Sequence, residues 1–366
     1  MKVLFMTNLP SPYRVRFFAE LGKKCDLTVI YERESASDRS GKWKAFSDKT
    51  YEEIFLHGKK IGTDNSISIE IFKHINKTYD VIVVGMYSTI TAMIAILYMR
   101  VRGIPFWIST DGGFIKEEPR RNYILKNVLL GSAKAWLSTG TKATEYLVHY
   151  GADWRKCYVY PFSSVSEKDL LEKILSQSEK EGFKNQIGVV EKRMLLSVGQ
   201  FIHRKGYDLL IQACIDLSDD IGVYIVGGVP PQEYIDLIQK YNIRNIHFVD
   251  FMKKDELAVY YKAADVFILP TREDIWGLVI NEAMSYGLPV ITTTNCIAGL
   301  ELVKDDFNGQ LVPSEDVEAL KNSIETVFSD CERLGSNALE TIRGYTIEKM
   351  AEIHAKYFAL YGGNKV

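Results

Sequence analysis

Two carboxylates stand in an apolar setting in the segment DIWGLVINEAMSYGLPVI, residues 274–291. Asp274 opens the segment, and Glu282 interrupts its apolar run after seven intervening residues. Burying an unpaired carboxylate costs on the order of several kcal/mol, so Glu282 is either solvated or met by a polar partner. A ribose is one such partner, because its vicinal hydroxyls can donate two hydrogen bonds to one carboxylate. A solvated helix acid is the alternative.

Three basic residues, His203, Arg204 and Lys205, follow a second apolar run in SVGQFIHRKGYDLLIQAC, residues 197–214. The pattern predicts a strand before them and a helix after them. Cations at a helix N-terminus oppose the helix dipole at about 0.3–1 kcal/mol each, whereas an anion is stabilised there. This arrangement suits a diphosphate, and an exposed basic turn is the alternative. No Gly-x-Gly-x-x-Gly follows a strand and no Walker lysine motif occurs, which argues against NAD and FAD.

The segment that begins at Asp274 also supplies backbone donors. A helix is predicted to start just after this residue, so the carboxylate lies at the tip of a loop. The first N–H groups of a helix have no partner within the helix and can hold the hydroxyls or phosphate of a sugar nucleotide. The backbone N–H groups predicted to do so are those of Ile275, Trp276, Gly277 and Leu278.

Short apolar runs alternate with helical patterns along the chain, which indicates parallel sheets covered on both faces. The predicted strands of the first half are residues 2–7, 26–31, 80–85, 105–110 and 133–139. Those of the second half are residues 194–199, 222–228, 245–251, 265–270 and 288–293. We therefore predict an α/β protein with two doubly wound, Rossmann-like parallel-sheet domains facing a central cleft. Ligands of such sheets bind beyond the carboxyl ends of strands, where the residues above lie.

The predicted domains comprise residues 1–185 and 186–345, and a helix within 346–366 is expected to cross back to the first domain. The boundary is placed in residues 176–193, which are polar and are interpreted as a linker or a frayed helix. A chain of 366 residues fits two domains better than one, and its 46% of apolar residues is typical of a folded protein.

Charge is unevenly divided along the chain. The net charge of the chain is −2. When acidic residues are subtracted from basic residues, however, residues 1–190 carry +7 and residues 191–366 carry −9. The first half is therefore expected to meet something anionic, and ordinary scatter of surface charge is the alternative.

The cysteines and histidines favour neither disulfides nor a metal site. The five cysteines lie far apart without a Cys-x-x-Cys, and the six histidines lack metal-ligand spacing. A reducing cytoplasm fits this usage. The first residues do not resemble a secretory signal. The apolar run of residues 90–99 is too short to span a bilayer and is predicted to be a buried helix.

The segment that begins at Asp274 resembles the motif of retaining glycosyltransferases of family 4 (glycosyl transferases group 1), which have the two-domain GT-B fold. That motif is an acid, seven residues and a Glu, in a pattern like Glu-Gly-Phe-Gly-Leu-x-x-x-Glu-Ala-Met-x-x-Gly-x-Pro-Val; Asp274 and Glu282 match the two acids. The segment around Lys205 resembles the family's Val-Gly-Arg-x-x-x-x-Lys-Gly, and Lys205 matches the Lys. The resemblance extends over nearly the whole chain.

The resemblance implies that the second domain binds a nucleotide-sugar donor. Glu282 would bind the donor ribose, while Lys205 and Arg204 would neutralise the diphosphate. Asp274 would orient the donor sugar, with Glu273 as a stand-in because Asp is one methylene shorter than the family's Glu. The remaining donor-binding candidates are Gly199, Ile275, Trp276, Gly277 and Leu278. Gln200 replaces the family's Arg, so the diphosphate would depend on the two cations named above.

The resemblance implies that the first domain binds the acceptor. Its first β–α loop, TNLPSPYR (residues 7–14), lacks the family's Gly-Gly and instead offers Ser11 as a helix N-cap before a proline. Ser11, Tyr13 and Arg14 are the acceptor-binding candidates, and an ordinary capped helix is the alternative. Asp111 follows another strand and is a catalytic candidate by analogy with the family, although Asp-Gly is also a common turn pair.

The implied reaction moves a sugar from a nucleotide-diphosphate donor, expected to be a UDP-sugar, to a hydroxyl of a glycan acceptor with retention of anomeric configuration. The acceptor is expected to be lipid-linked, in cell-surface polysaccharide synthesis, and the sugar to be a hexosyl or N-acetylhexosaminyl group. No cofactor, metal or nucleic acid is expected. The protein is expected in the cytoplasm, at the inner face of the cytoplasmic membrane through peripheral contact of its basic half with anionic lipids.

Three other functions fit parts of the pattern. A same-fold nucleotide-sugar 2-epimerase would change the donor without an acceptor. A non-catalytic sugar-nucleotide-binding partner would bind the donor without turnover. A glycoside hydrolase would use two carboxylates about 5–10 Å apart across one bond, but it needs no diphosphate site.

Overall fold

The computed structural model describes residues 1–34, 50–61 and 65–362. The chain divides into two compact units: an N-terminal unit of Met1–Ser164 with Thr346–Val366, and a C-terminal unit of Val165–Tyr345. Each unit is a doubly wound parallel-sheet α/β domain, which confirms the predicted fold class. The division follows Ser164, some twenty residues earlier than the sequence suggests.

The N-terminal unit is built on a parallel sheet of seven described strands. Its elements up to residue 159 are β1 (Lys2–Thr7), α1 (Pro12–Gly22), β2 (Asp26–Tyr31), β3 (Glu52–Phe55), β4 (Lys59–Ile61), β5 (Asn65–Ile67), α2 (Ile71–His74), β6 (Val81–Val84), α3 (Ile90–Arg102), β7 (Trp107–Ser109), α4 (Arg120–Leu130), β8 (Ala135–Ser138), α5 (Thr141–His149) and β9 (Cys157–Val159). The strand order is β3-β2-β1-β6-β7-β8-β9, while β4 and β5 form a separate antiparallel pair. The central strands are buried along nearly their whole length, because helices cover both faces of the sheet.

The C-terminal unit is built on a parallel sheet of six described strands. Its elements are α6 (Gln177–Gln186), β10 (Arg193–Val198), α7 (Tyr207–Ala213), β11 (Ile221–Val226), α8 (Gln232–Lys240), β12 (Ile246–Val249), α9 (Lys254–Ala263), β13 (Val266–Leu269), α10 (Leu278–Ser285), β14 (Val290–Thr293), α11 (Ile297–Leu302), β15 (Gly309–Val312), α12 (Val317–Ser329) and α13 (Cys331–Ile342). The strand order is β12-β11-β10-β13-β14-β15. The chain leaves the neighbouring strands β10 and β13 in opposite directions across the sheet, which makes their carboxyl ends the switch point where ligands of such sheets bind.

The last helix, α14 (Ile347–Tyr357), belongs to the N-terminal unit and continues as a π-helical turn over Phe358–Gly362. It packs against α1, where the ring of buried His354 lies 4.8 Å from that of Phe17. The N-terminal unit is therefore completed by residues that follow the whole C-terminal unit in sequence.

The segment predicted to be a linker or a frayed helix forms a helix with a capped first turn. It contains α6, whose first turn is closed by a capping box between Ser176 and Glu179. Lys184 of this helix is buried, and its Nζ lies 2.8 Å from Oδ2 of Asp265, while Lys180 lies 3.3 Å from Oδ1 of the same carboxylate. These ion pairs tie a polar helix to the C-terminal unit, which explains why the units divide earlier than predicted.

The apolar run predicted to be a buried helix forms α3, which is buried on only one face. Ala92, Ala95, Ile96 and Met99 are buried, whereas Val101 is 85% exposed. Within the described residues, every helix is too short or too polar to cross a bilayer. The strands that the sequence pattern missed are short or only partly buried: β3, β4, β5, β9 and β15.

Candidate active site

The three predicted cations form a single helical turn between β10 and α7. His203, Arg204 and Lys205 make a 3-10 turn that ends at Gly206, which has a φ of +70°. A Cβ atom at Gly206 would lie 2.2 Å from the carbonyl oxygen of Pro270, which follows β13. Only glycine allows this approach, and it brings the basic turn against the loop that carries the first predicted acid.

Lys205 and Asp274 meet directly at the carboxyl ends of β10 and β13. The Nζ atom of Lys205 donates to Oδ2 of Asp274 at 2.6 Å, and both side chains are nearly buried. Arg204 lies 3.4 Å from Oδ1 of the same carboxylate and donates to the carbonyl oxygen of Glu273 at 2.7 Å. The cluster holds two cations and one carboxylate, and partial burial strengthens its attraction for an anion relative to bulk water.

A second arginine, which the sequence did not single out, joins the two loops. Arg272 donates to both carboxylate oxygens of Asp208, at 2.8 and 2.7 Å, and to the carbonyl oxygen of His203 at 2.8 Å. Its own backbone N–H donates to the carbonyl oxygen of Arg204 at 2.8 Å. Although burial favours the neutral acid, hydrogen bonds from Arg272 hold the pKa of Asp208 below its usual value. Arg272 therefore positions the basic turn.

The loop that carries Asp274 is fixed on its other side by the connection after β14. The N–H of Asp274 donates to the carbonyl oxygen of Asn295 at 2.9 Å, and its own carbonyl accepts from Ile297 at 3.1 Å. The indole of Trp276 is 4% exposed and donates to the side chain of Asn281 at 2.8 Å. The Trp276 side chain is therefore an internal anchor of the loop, and its backbone remains the part that could meet a ligand.

Helix α10 begins directly after this loop. Gly277 is its N-cap, with a φ of +90°, and the first helical residue is Leu278. The side chain of Ile275, one residue after Asp274, is 49% exposed. The predicted backbone donors therefore lie at a true helix N-terminus, a favourable position for phosphate.

Glu282 lies in the second turn of α10 and is half-buried. One of its carboxylate oxygens accepts a hydrogen bond from the hydroxyl of Tyr261 at 3.2 Å. Tyr261 is buried and stacks on Tyr286 at 5.2 Å, and burial together with the Glu282 charge raises its pKa well above the usual value. The structure thus gives Glu282 a hydroxyl donor within the protein.

Two further features of the same edge were missed from the sequence. Gly227 follows β11, and a Cβ atom there would lie 2.1 Å from the carbonyl oxygen of Gly199, so the backbones of the loops after β11 and β10 touch. Phe251 follows β12 and is 80% exposed. A pair of glycines directly after a strand was the available signal for the first feature, and no pattern marked the second.

The candidates of the N-terminal unit also form one group. Arg14 donates to Oδ2 of Asp111 at 2.6 Å and to the hydroxyl of Tyr13 at 3.1 Å. Arg14 is nearly buried, and although burial works against its charge, Asp111 raises its pKa. Ser11 occupies the N-cap position as predicted, but its side chain makes no capping hydrogen bond. The cation predicted to bind the acceptor is thus the partner of the predicted catalytic carboxylate.

Residues 179–341 match the family model described as glycosyl transferases group 1. An uncharacterized glycosyltransferase of Methanocaldococcus jannaschii is 32% identical over 162 residues, which cover 43% of this chain and 41% of that protein. The lipopolysaccharide glucosyltransferase WaaG of Escherichia coli K12 is 28% identical over 171 residues, which cover 45% of each chain. The chain thus spans about half the length, or less, of these curated relatives.

Solved structures match over almost the full length. A sucrose-phosphate synthase from Thermosynechococcus elongatus superposes with a TM-score of 0.75 at 19% identity over 99% of both chains. Anabaena HepE in complex with UDP-glucose gives 0.75 at 16% identity, over 98% of this chain and 100% of that one. At such identities the likeness shows the fold alone, which is GT-B. Within that fold, residues 179–341 are similar to the family of glycosyl transferases group 1.

Proposed function

We propose that this protein is a glycosyltransferase that moves a hexosyl or N-acetylhexosaminyl group from a UDP-sugar to a hydroxyl of a lipid-linked glycan. The observation that carries the proposal is the convergence of Lys205 and Arg204 on Asp274 at the switch point of the C-terminal sheet. Breaking the anomeric C–O bond of a nucleotide sugar leaves a diphosphate whose charge grows in the transition state. Two cations fixed in a partly buried site stabilise that charge without reorganisation.

Asp274 has two tasks in this proposal. It holds the Lys205 ammonium in place through the 2.6 Å hydrogen bond. When a diphosphate binds, its oxygens compete for the same ammonium, and the carboxylate then accepts hydrogen bonds from the donor sugar. Glu273 lies beside it, but the carboxylate that meets both Lys205 and Arg204 is that of Asp274, so Asp274 is the better candidate for the first acid.

The nucleoside is assigned to the neighbouring loops. Glu282 accepts the ribose hydroxyls, and the exposed ring of Phe251 offers a face on which a base can stack. The choice of uridine draws on the fold neighbour HepE, whose structures hold UDP, UDP with glucose, and UDP-glucose. A family 4 transferase retains the anomeric configuration, so the new C–O bond forms on the face that the diphosphate leaves. The acceptor proton then passes to a phosphate oxygen of the leaving group, and no protein base is required.

The acceptor is assigned to the N-terminal unit, where Asp111 lies at the carboxyl end of β7. Arg14 donates to one oxygen of this carboxylate at 2.6 Å and fixes its position, and the carboxylate can also accept a hydrogen bond from a sugar hydroxyl. A lipid-linked acceptor draws support from the relative named as a lipopolysaccharide glucosyltransferase and from the charge of +7 on residues 1–190. The protein would then work at the cytoplasmic membrane through peripheral contact, in cell-surface polysaccharide synthesis.

The test is a thermal-shift panel of UDP, GDP and ADP with their common sugars, applied to the full chain. A ligand that binds only the folded state stabilises it by RT ln(1 + [L]/Kd), about 2.7 kcal/mol at a hundredfold excess over Kd. UDP and at least one UDP-sugar should raise Tm, and Lys205→Ala should abolish the shift. No shift with any nucleotide would overturn the proposal. Product analysis of the binding donor without acceptor excludes a 2-epimerase if the sugar is recovered unchanged.

A further inference from the structure

A buried hydroxyl beside the candidate site lacks a hydrogen-bond partner. Tyr207 is the first residue of α7, two positions after Lys205, and it is 0% exposed. Among the described residues, no group donates to its hydroxyl oxygen or accepts from it. Most buried polar side chains in folded proteins are hydrogen-bonded, and one that is not has lost its contacts with water without replacement. The hydroxyl of Tyr207 therefore calls for a physical explanation.

This hydroxyl is a neighbour of the lysine that is proposed to bind the diphosphate. A Cβ atom placed on Gly199, directly after β10, would lie 2.8 Å from the hydroxyl oxygen of Tyr207 and 3.3 Å from Cε of Lys205. Both atoms are thus within contact distance of one point, and they are no farther apart than the sum of these two distances. Only the absence of a side chain at Gly199 leaves room for the hydroxyl next to the lysine.

The surroundings on the other side determine which way the hydroxyl can act. Ser197 of β10 lies close to the Tyr207 hydroxyl, although no hydrogen bond joins the two, and it donates its own proton to the carbonyl oxygen of Ile268 at 2.6 Å. Because a hydroxyl has a single proton, the oxygen of Ser197 can only accept from Tyr207. When the Tyr207 proton points toward Ser197, the lone pairs of the phenol remain available to Lys205.

The Tyr207 hydroxyl is also an uncharged acceptor. Burial raises the pKa of Tyr207 above its usual value, so the phenol is neutral at physiological pH. The present acceptor of the Lys205 ammonium is the carboxylate of Asp274 at 2.6 Å, and a carboxylate offsets the attraction of the cation for another anion. A neutral acceptor holds the same cation in place without offsetting its charge.

A lysine that binds a leaving group needs such a second acceptor. The ammonium has three N–H groups on a flexible four-carbon stem, so a single contact with phosphate leaves its position poorly defined. Stabilisation of a transition state is greatest when the charge does not have to reorganise. Of the groups described above, the oxygen of Tyr207 is the neutral one that lies beside the stem of Lys205.

We propose that Tyr207 is a positioning residue of the donor site. When a diphosphate draws the Lys205 ammonium away from Asp274, the hydroxyl oxygen of Tyr207 accepts one of its N–H groups and fixes the cation against the leaving group. This role rests on the proposed function. It gives the buried hydroxyl a partner and gives the cation a fixed position in the same step.

The experiment is calorimetric titration of the full chain with UDP, which contains the diphosphate and needs no sugar. Tyr207→Phe keeps the ring and removes the hydroxyl, and it should weaken UDP binding about fivefold to twentyfold because a hydrogen bond to a cation is lost. Urea unfolding should show no loss of stability, since the hydroxyl that is removed has no partner. Tyr234→Phe is the matched control, because both tyrosine rings contact Phe201, at 5.4 and 6.1 Å, and it should bind UDP as the wild type does.

The coupling to Lys205 is measured by steady-state transfer with the donor found in the thermal-shift panel. Tyr207→Phe should lower kcat more than it raises KM, because the diphosphate gains charge in the transition state. In a Lys205→Ala background the same substitution should have no further effect, since the hydroxyl acts through that ammonium.

Three results would overturn the role of Tyr207: wild-type UDP affinity in Tyr207→Phe, additive losses in the double variant, or a marked loss of stability that identifies the hydroxyl as structural. The same titrations keep the two proposals apart. Wild-type protein that does not bind UDP would overturn the proposed function and this role with it. UDP binding that Lys205→Ala weakens and Tyr207→Phe leaves unchanged would remove the role of Tyr207 alone.

Discussion

Lys205 is held by a carboxylate at 2.6 Å, so a diphosphate at this site must share the ammonium with Asp274 or displace the contact. The same carboxylate lies 3.4 Å from Arg204. The pairing fixes two flexible cations before a ligand arrives, and fixed charges stabilise a transition state better than charges that must reorganise. The strength of the site therefore depends on the geometry of three side chains together.

Lys205→Ala should lower kcat/KM by about 10²–10³, or roughly 3–4 kcal/mol of transition-state stabilisation, because the leaving diphosphate loses its nearest cation. Arg204→Ala should cost a sizeable share as well, since Gln200 cannot supply charge. The measurement is steady-state transfer with the donor found in the thermal-shift panel. Lys321→Ala, which breaks the pair with Asp216 in the same unit, is the control and should have no effect. Near-normal kcat/KM in Lys205→Ala would refute the diphosphate assignment.

Glu282→Gln should weaken UDP binding and change the free energy of unfolding by no more than about 1 kcal/mol, because its carboxylate is assigned to the ribose. Calorimetry gives the affinity and urea unfolding gives the stability. Tyr261→Phe is the paired variant: it removes the hydroxyl that donates to Glu282 at 3.2 Å but leaves the carboxylate. Unchanged UDP affinity in Glu282→Gln with a large loss of stability would mean that this carboxylate is structural.

At the scale of elements, the attachment of helix α6 to the C-terminal unit relies on ion pairs more than on an apolar face. Its Lys184 is buried against Asp265, which also accepts from Lys180 and from the backbone N–H of Met194 at 2.8 Å. Removing one partner of a buried ion pair leaves the other charge uncompensated, which is more costly than losing a surface pair.

Asp265→Asn should therefore lower the free energy of unfolding by about 3 kcal/mol, measured by urea unfolding of the C-terminal unit. Asp216→Asn breaks an exposed Lys–Asp pair in the same unit and should cost less than about 1 kcal/mol. UDP affinity should stay unchanged below the unfolding transition, because Asp265 lies at the amino end of β13 and the candidate site at its carboxyl end. If both substitutions lowered the free energy of unfolding equally, burial of the Lys184–Asp265 pair would add nothing to its contribution to stability.

The sequence predicted the central strands because each is an apolar run buried on both faces, and the switch-point rule placed Lys205 and Asp274 together. It left α6 between a linker and a frayed helix because the apolar content of the segment is low, although its Ser176-x-x-Glu179 capping-box signature was readable. The pairs Arg272–Asp208 and Arg14–Asp111 join residues 64 and 97 positions apart, and only the packed fold reveals such partners.

At the scale of the whole molecule, the interface between α1 and α14 contains a buried titratable group, the imidazole of His354. Burial lowers the pKa of His354 from 6.5 to about 4, with a smaller contribution from repulsion by Arg14. Its ring lies 4.4 Å from that of Tyr160 and 4.8 Å from that of Phe17. The folded protein therefore keeps this imidazole neutral at a pH at which the unfolded chain protonates it.

The contribution of His354 to stability should be complete above pH 6.5 and should fall progressively as the pH drops toward 4, by about 3 kcal/mol in total. Urea unfolding between pH 7 and 4 measures the trend, which will also contain the titration of carboxylates. His354→Gln should be less stable at pH 7 but should lose less stability over this interval than the wild type. His57→Gln, at an exposed ring, should keep the wild-type slope. Identical slopes in wild type and His354→Gln would contradict the buried neutral imidazole.

Helix α14 completes the N-terminal unit, but in the sequence it comes after the whole C-terminal unit. A ribosome adds about 5–20 residues per second, so roughly ten to forty seconds separate the synthesis of Ser164 from that of Thr346. During that interval the surface of α1 that packs against α14, which includes Phe17, is not covered by that helix. The C-terminal unit, which is continuous in sequence, can complete its fold first, so the nascent chain would form the unit proposed to bind the nucleotide before the unit proposed to bind the acceptor.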